Sequence, residues 1–173
     1  MVEQERTKNG RNCTTTFLIL DAQSVKNTDT ATQKGYDAGK KVSGIKRHIA
    51  VDTNGLPHAV SVTTANVTDR GGALDMLESY QTYLQDVLKV LVDGGYSGEK
   101  FAQEVLRIIS ATTEVVKRNE LHTFAVLPQW WVVERSFGWL EKCRRLWKNC
   151  ERFLESSRAM MQLAFISLLL RRC

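Results

Sequence analysis

Phe17-Leu18-Ile19-Leu20-Asp21 and Val90-Leu91-Val92-Asp93-Gly94-Gly95-Tyr96 decide how this chain is to be read. Each is an unbroken apolar run closed by an acid, the pattern of a short strand buried on both faces. Between them, Ile45 to Val51 and His58 to Ala65 are strand-like segments joined across Asp52-Thr53-Asn54-Gly55. In the second, Val60, Val62 and Thr64 alternate against Ala59, Ser61 and Thr63. Asn-Gly between two such segments signals a hairpin, because both residues tolerate the positive φ of a type I′ turn.

The elements around this frame follow from local signals. Thr68 or Asp69 can cap a helix carrying Leu74, Leu77, Leu84 and Leu88. Glu99 to Ile109 reads as a helix, Glu114 to Val116 as a short strand and Lys117 to Pro128 as a loop. Trp130, Val133, Phe137, Leu140 and Trp147 form one apolar stripe of a long helix. The run Ala159 to Leu170, capped by Ser156 or Ser157, reads as a core helix. It is too short for a membrane span and is interrupted by Gln162 and Ser167.

Strand, hairpin, helix, strand, helix, strand, helix, helix is the element order of an α/β fold with an RNase-H-like mixed sheet, three strands antiparallel and the others parallel, flanked by helices. In that topology the first and fourth strands are parallel neighbours, so Asp21 and Asp93 would lie side by side. Residues 1–16 read as a polar, poorly ordered tail and 17–173 as the catalytic domain with C-terminal helices. Ala22 to Gly44, polar and poor in large apolar residues, reads as a long irregular loop, mobile until it settles over a substrate.

Glu134 sits one residue off the apolar stripe of its helix. On the same flank come Gly138, which leaves room for a ligand, then Glu141, Arg145 and Lys148. Three carboxylates from distant parts of the chain are what a divalent metal site needs. Mg²⁺ (or Mn²⁺) takes oxygen ligands and is commonly held by one or two carboxylates plus substrate phosphate oxygens. Three acids can hold two ions about 3.5–4 Å apart for an in-line phosphoryl displacement. Asp21, Asp93 and Glu134 are therefore the candidate catalytic and metal-binding residues.

The charge balance suits a polyanionic substrate. The 173 residues hold 24 basic and 19 acidic side chains, a net +5. The bases cluster at Lys40, Lys41, Lys46, Arg47 and His48, at Arg144, Arg145 and Lys148, and at Arg171 and Arg172. Cationic patches beside a metal centre can bind a phosphodiester backbone while the ions act on the reacting phosphate. The four cysteines form no C-x-x-C pair and the three histidines are scattered, which excludes an ordinary zinc site and suits a reducing cytoplasm. Cys143 and Cys150, seven apart in one helical stretch, would not pair within it. A phosphatase of the haloacid dehalogenase type needs a second Asp two residues after the first, where this chain has Gln23.

Several runs carry a more specific likeness: Leu20-Asp21-Ala22-Gln23-Ser24-Val25-Lys26, Gly35-Tyr36-Asp37-Ala38-Gly39-Lys40-Lys41, Lys46-Arg47-His48, Val51-Asp52-Thr53, Ala65-Asn66-Val67-Thr68-Asp69-Arg70, Asp93-Gly94-Gly95-Tyr96-Ser97-Gly98, Trp131 to Leu140, and Arg144-Arg145-Leu146. In this order, from residue 17 to the end, they resemble the catalytic part of bacterial DDE transposases of the insertion-sequence-five family. The resemblance implies Mg²⁺-dependent hydrolysis at transposon ends and attack of the freed 3′-hydroxyl on target DNA. It makes Asp21, Asp93 and Glu134 the first, second and third acids, and Arg135, Arg145 and Lys148 cations near the scissile or flanking phosphates. Lys40, Lys41, Lys46 and Arg47 complete the expected DNA-binding set. Tyr96 and Trp139 are expected to pack.

The implied partners are transposon terminal repeats, target DNA and, in the active assembly, further copies of the chain; no membrane is involved. Members of the family carry a helical DNA-binding region upstream of the first acid, and 20 residues precede Asp21 here. The expectation is a second reading frame or a truncated copy, with that region made separately or joined by frameshifting. A catalytically silent DNA-binding or regulatory remnant is the alternative. Pro128-Gln129-Trp130 also stands where the family tends to offer bases.

Overall fold

A computed structural model describes residues 1–116 and 130–171. The chain runs through α1 (Val2–Lys8), β1 (Phe17–Lys26), β2 (Gly35–Asp37), β3 (Val42–Val51), β4 (Pro57–Thr64), α2 (Asp69–Ser79), β5 (Lys89–Val92), α3 (Glu99–Ile109), β6 (Thr112–Val115), α4 (Trp130–Glu141) and α5 (Leu154–Leu170). Short 3₁₀ turns lie at Gln81–Tyr83 and Gly94–Tyr96. The loop expected over Lys117 to Pro128 lies outside the described residues.

The six strands form one mixed sheet. β3 is antiparallel to β1 along Gly44–Val51, and its other edge is shared by short β2 and by β4. β1, β5 and β6 are mutually parallel, with β5 in the middle. Side chains on β1 alternate between two cores, as the pleat requires. Leu18 and Leu20 join Met76, Leu77, Phe101 and Val105 under α2 and α3. Ile19 and Val25 join Val133, Phe137, Met161 and Phe165 under α4 and α5. Helices cover both faces, which is why the strands read as continuous apolar runs.

Several local expectations are corrected. The Ala22–Gly44 stretch is about half strand: β1 continues to Lys26 because β3 pairs it residue by residue as far as Gly44. The remaining loop is held by backbone acceptors on the chain following α4. Thr28 N–H donates to Asn149 O (2.9 Å) and Thr32 Oγ1 to Arg152 O (2.7 Å). These contacts are hydrogen bonds across the chain rather than apolar burial. The hairpin turn is a five-residue loop in which Asp52 Oδ1 accepts from Asn54 N (2.8 Å) and Leu56 N (3.0 Å), and Gly55 takes positive φ (+77°) where Asn54 does not.

α4 stops at Glu141, so Arg145, Trp147 and Lys148 lie in the turns that follow it and not along its face. α5 begins before Ser156, with Phe153 at its N-cap; Ser157 instead donates from inside the helix to Asn149 Oδ1 (2.7 Å). The polar N-terminal stretch contains α1, fastened to the hairpin by a buried ion pair between Arg6 and Asp52, with Arg6 also donating to Asn12 O and Thr14 O. Thr68 caps α2 as expected, its hydroxyl accepting from Gly71 N (3.1 Å). α2 ends at Ser79, short of Leu84 and Leu88.

Candidate metal and nucleic-acid site

Strand register brings the first two acids together. β1 pairs with β5 through Ile19↔Leu91, so two further residues along each parallel strand put Asp21 abreast of Asp93. Asp93 caps the Gly94–Tyr96 turn, its Oδ1 accepting from Gly95 N (2.8 Å). Asp21 Oδ1 accepts from its own neighbour Ala22 N (2.7 Å). Each carboxylate keeps a second oxygen for another partner.

The electrostatics fit a site for a cation. Burial pushes the Asp21 carboxyl up to about 7, the Ala22 N–H opposes this, and the negative charge of Asp93 raises it again. Lys40 partly offsets the crowding and Asp69 adds to it. A half-buried carboxyl held against a second carboxylate binds a proton near neutrality, and a divalent ion would satisfy the same excess of negative charge. Two oxygen-donor carboxylates, with Gly94 free of neighbours around its Cβ position, match the donors that Mg²⁺ or Mn²⁺ takes.

Glu134 is exposed on α4, and among the described residues no three His, Cys, Asp or Glu side chains, Asp21, Asp93 and Glu134 included, are grouped closely enough to hold a metal ion. Its flank is nonetheless turned toward β1. Gln23 Nε2, two residues beyond Asp21, donates to Glu141 Oε1 at 2.7 Å. Glu134 lies seven residues before Glu141 on the same helix, about 10 Å back along its axis at 1.5 Å per residue. Gly138 lies between them with open space where a Cβ would be.

The expected cations divide into exposed and buried. Lys40 and Lys41 are exposed, Lys41 in a left-handed turn (φ +54°). Lys40 Nζ donates to Ala22 O (3.1 Å) and approaches Asp69 Oδ2 (3.5 Å). Arg135 lies over the rings of Trp131 and Trp139, 4.1 and 4.9 Å from their centroids. Arg145 pairs with Glu151 (2.7 Å), and Lys148 lies 4.5 Å over Trp147.

Lys46 and Arg47 are placed inside, 4% and 1% exposed. Lys46 bridges Asp69 (2.7 Å) and Asp37 (3.3 Å). Arg47 lies beside Gln23 in the strand register, with Nε and Nη1 unpaired. Burial pushes its guanidinium down to about 10, with Glu141 opposing. Strand alternation gives no warning of this, because β3 is covered on both faces and every residue from Gly44 to Val51 is buried.

Two residues of this neighbourhood were not singled out as site residues in the sequence. Asp69 reaches it from the first turn of α2, and only the cap signal at Thr68-Asp69 marks it locally. Tyr96 is buried (1% exposed) on the turn that Asp93 caps.

Residues 12–170 match a family model described as the Transposase DDE domain. Over 127 residues the chain is 32% identical to a Burkholderia cepacia protein described as "Putative transposase for insertion sequence element IS402"; the alignment takes in 69% of this chain. The chain spans about 60% of the length of that curated relative. The catalytic core domain of BIV integrase is similar in fold, with a TM-score of 0.54 at 14% identity, over 88% of this chain and 82% of that one. Integrase cores are RNase-H-like, as the element order implied.

Proposed function

Because the chain belongs to the transposase DDE-domain family, we propose that it is the catalytic part of a DNA transposase of the insertion-sequence-five group. In this reading it cuts at transposon ends and joins the freed 3′-hydroxyl to target DNA. The supporting observation is the parallel register that sets Asp21 abreast of Asp93, with burial and mutual repulsion favouring a bound cation.

Asp21 and Asp93 would hold an ion, Mg²⁺ or Mn²⁺, from the sheet, and Glu134 would be the third carboxylate from the flank of α4. Such an ion would supply charge stabilisation at the reacting phosphate. The chain's own cations hold the flanking phosphates: Lys40 and Lys41 beside Asp21, Arg135 on α4, Arg145 and Lys148 beyond it. The open position at Gly138 lets a phosphodiester approach between Glu134 and Glu141. Terminal repeats and target DNA are the partners, the active form is an assembly of copies, and end recognition belongs to a further region, separately encoded or fused by frameshifting.

A catalytically silent DNA-binding remnant is the second reading, favoured because among the described residues Asp21, Asp93 and Glu134 are not grouped closely enough to hold a metal ion. Incubating the chain with DNA carrying cognate terminal repeats separates the two. Mg²⁺- or Mn²⁺-dependent nicking that is lost on Asp93→Ala supports the transposase. Binding without nicking at any ion concentration supports the remnant.

A further inference from the structure

Trp147, which its spacing placed in the apolar stripe of a long helix, stands on the surface and is 59% exposed. The turns that carry it are pinned on both sides. Leu146 before it is buried in the core under α4 and α5. Asn149 after it is also buried, its N–H donating to Lys26 O (2.9 Å) and its side-chain amide to Asn27 Oδ1 (3.0 Å). The indole is therefore displayed from a fixed backbone.

A single exposed apolar side chain is ordinary, but this one stands among cations. Lys148 Nζ lies 4.5 Å from the ring centroid and covers one face; the exposure that remains is that of the other face and the edge. Lys142 and Arg144 are exposed, the Arg145 side chain is 61% exposed, and no acid lies between Lys142 and Cys150. A second copy of this turn would set like charges against one another, whereas a polyanion is attracted to it. An aromatic face beside cations is how a single nucleic-acid strand is held, a base stacking on the ring while the cations take the phosphates. A closed duplex keeps its base faces within its own stack, so the ring fits an unpaired nucleotide.

We propose that Trp147 is a stacking platform for an unpaired DNA base, with Lys148 and Arg144 on the phosphates beside it. Lys26, to which the turn is bonded, lies five residues beyond Asp21 on β1, about 17 Å along the strand. That is about five nucleotide steps of DNA, so the base held here flanks the reacting phosphate. The inference rests on the DNA-processing reading above.

The test is fluorescence anisotropy of a short labelled single strand and of its matching duplex, each titrated with the whole chain in EDTA over a range of salt. Trp147→Ala should weaken single-strand binding by about 5-fold or more. Duplex binding, the salt slope and the Tm should stay near wild type, because the stack neutralises no phosphate and the ring is exposed. Trp147→Phe, which keeps a ring face, should recover most of the loss, and Trp147→Leu, apolar without one, should not. That pair decides the matter even where Trp147→Ala folds poorly. Wild-type single-strand affinity in Trp147→Ala, recovery in Trp147→Leu, or equal loss on strand and duplex would overturn the stack and leave the DNA reading standing. Failure of the wild-type chain to bind either form at low salt would overturn the DNA reading and the stack with it.

Discussion

Gln23 and Glu141, 118 residues apart in sequence, are joined by a 2.7 Å hydrogen bond that fastens the end of α4 to β1 two residues beyond Asp21. An exposed bond of this kind contributes about 1 kcal/mol or less to stability. Its larger effect is on where α4, and hence Glu134, is held. Gln23→Ala should leave the melting temperature nearly unchanged but speed hydrogen exchange in α4, read by mass spectrometry. Unchanged exchange in α4 would show that apolar packing at Val133, Phe137 and Leu140 holds the helix without this bond.

Asp21 opposes folding at neutral pH when no ion is present. Burial raises its carboxyl to about 7 from an ordinary 3.8, so the folded chain binds more protons than the unfolded chain between those values. Its stabilising share is complete below pH 3.8 and is lost as pH rises through 7. In EDTA, Asp21→Asn should therefore melt above wild type at pH 8, by roughly 2–4 °C, the scale of 1 kcal/mol in a domain of this size. The gap should close toward pH 4. A variant that melts lower at pH 8 would show that Asp21 is satisfied there without metal.

His48 works in the opposite sense. It is fully buried on β3, with Nε2 3.0 Å from Thr63 Oγ1 and Nδ1 unpaired. Burial pushes the imidazole down to about 4, against a weaker pull from Asp69. Between pH 6.5 and 4 the unfolded chain takes up a proton that the folded chain refuses, so stability falls with acidification. His48→Gln should lose less stability than wild type between pH 7 and pH 4.5 in urea melts. Parallel pH profiles for the two proteins would contradict this.

Arg47 is a further buried ionisable group in this region, and two of its donors are unpaired. Replacing such a cation with an apolar side chain of similar length is often neutral or stabilising. Arg47→Met should keep or raise the melting temperature. A large loss would show that Glu141, which favours the charged form, or the unpaired acceptor Gln23 Oε1 is a true partner.

Much of this was legible because strands covered on both faces leave apolar runs in the sequence. Asp21 and Asp93 stand where those runs stop, and the parallel pairing of β1 with β5 followed from element order. What was hidden depends on tertiary pairing. β1 continues past Asp21 as a polar strand because β3 supplies its hydrogen bonds, and the loop after it bonds to carbonyls at Asn149 and Arg152. The end of α4 leaves no Gly or Pro to mark it, so Arg145 and Lys148 were set on a helix that stops at Glu141. Burial of Lys46 and Arg47 reflects the central place of β3, which charge clustering cannot reveal. Asp69 joins the site only because α2 starts beside the turn after β5.

The most direct measurement is the anomalous scattering of Mn²⁺ in crystals of the chain. A peak about 2.1 Å from carboxylate oxygens of both Asp21 and Asp93, absent in Asp93→Ala crystals, is the expected result. Mn²⁺ bound elsewhere, with the Asp21 and Asp93 oxygens free of it, would contradict the assignment of this pair as the metal site.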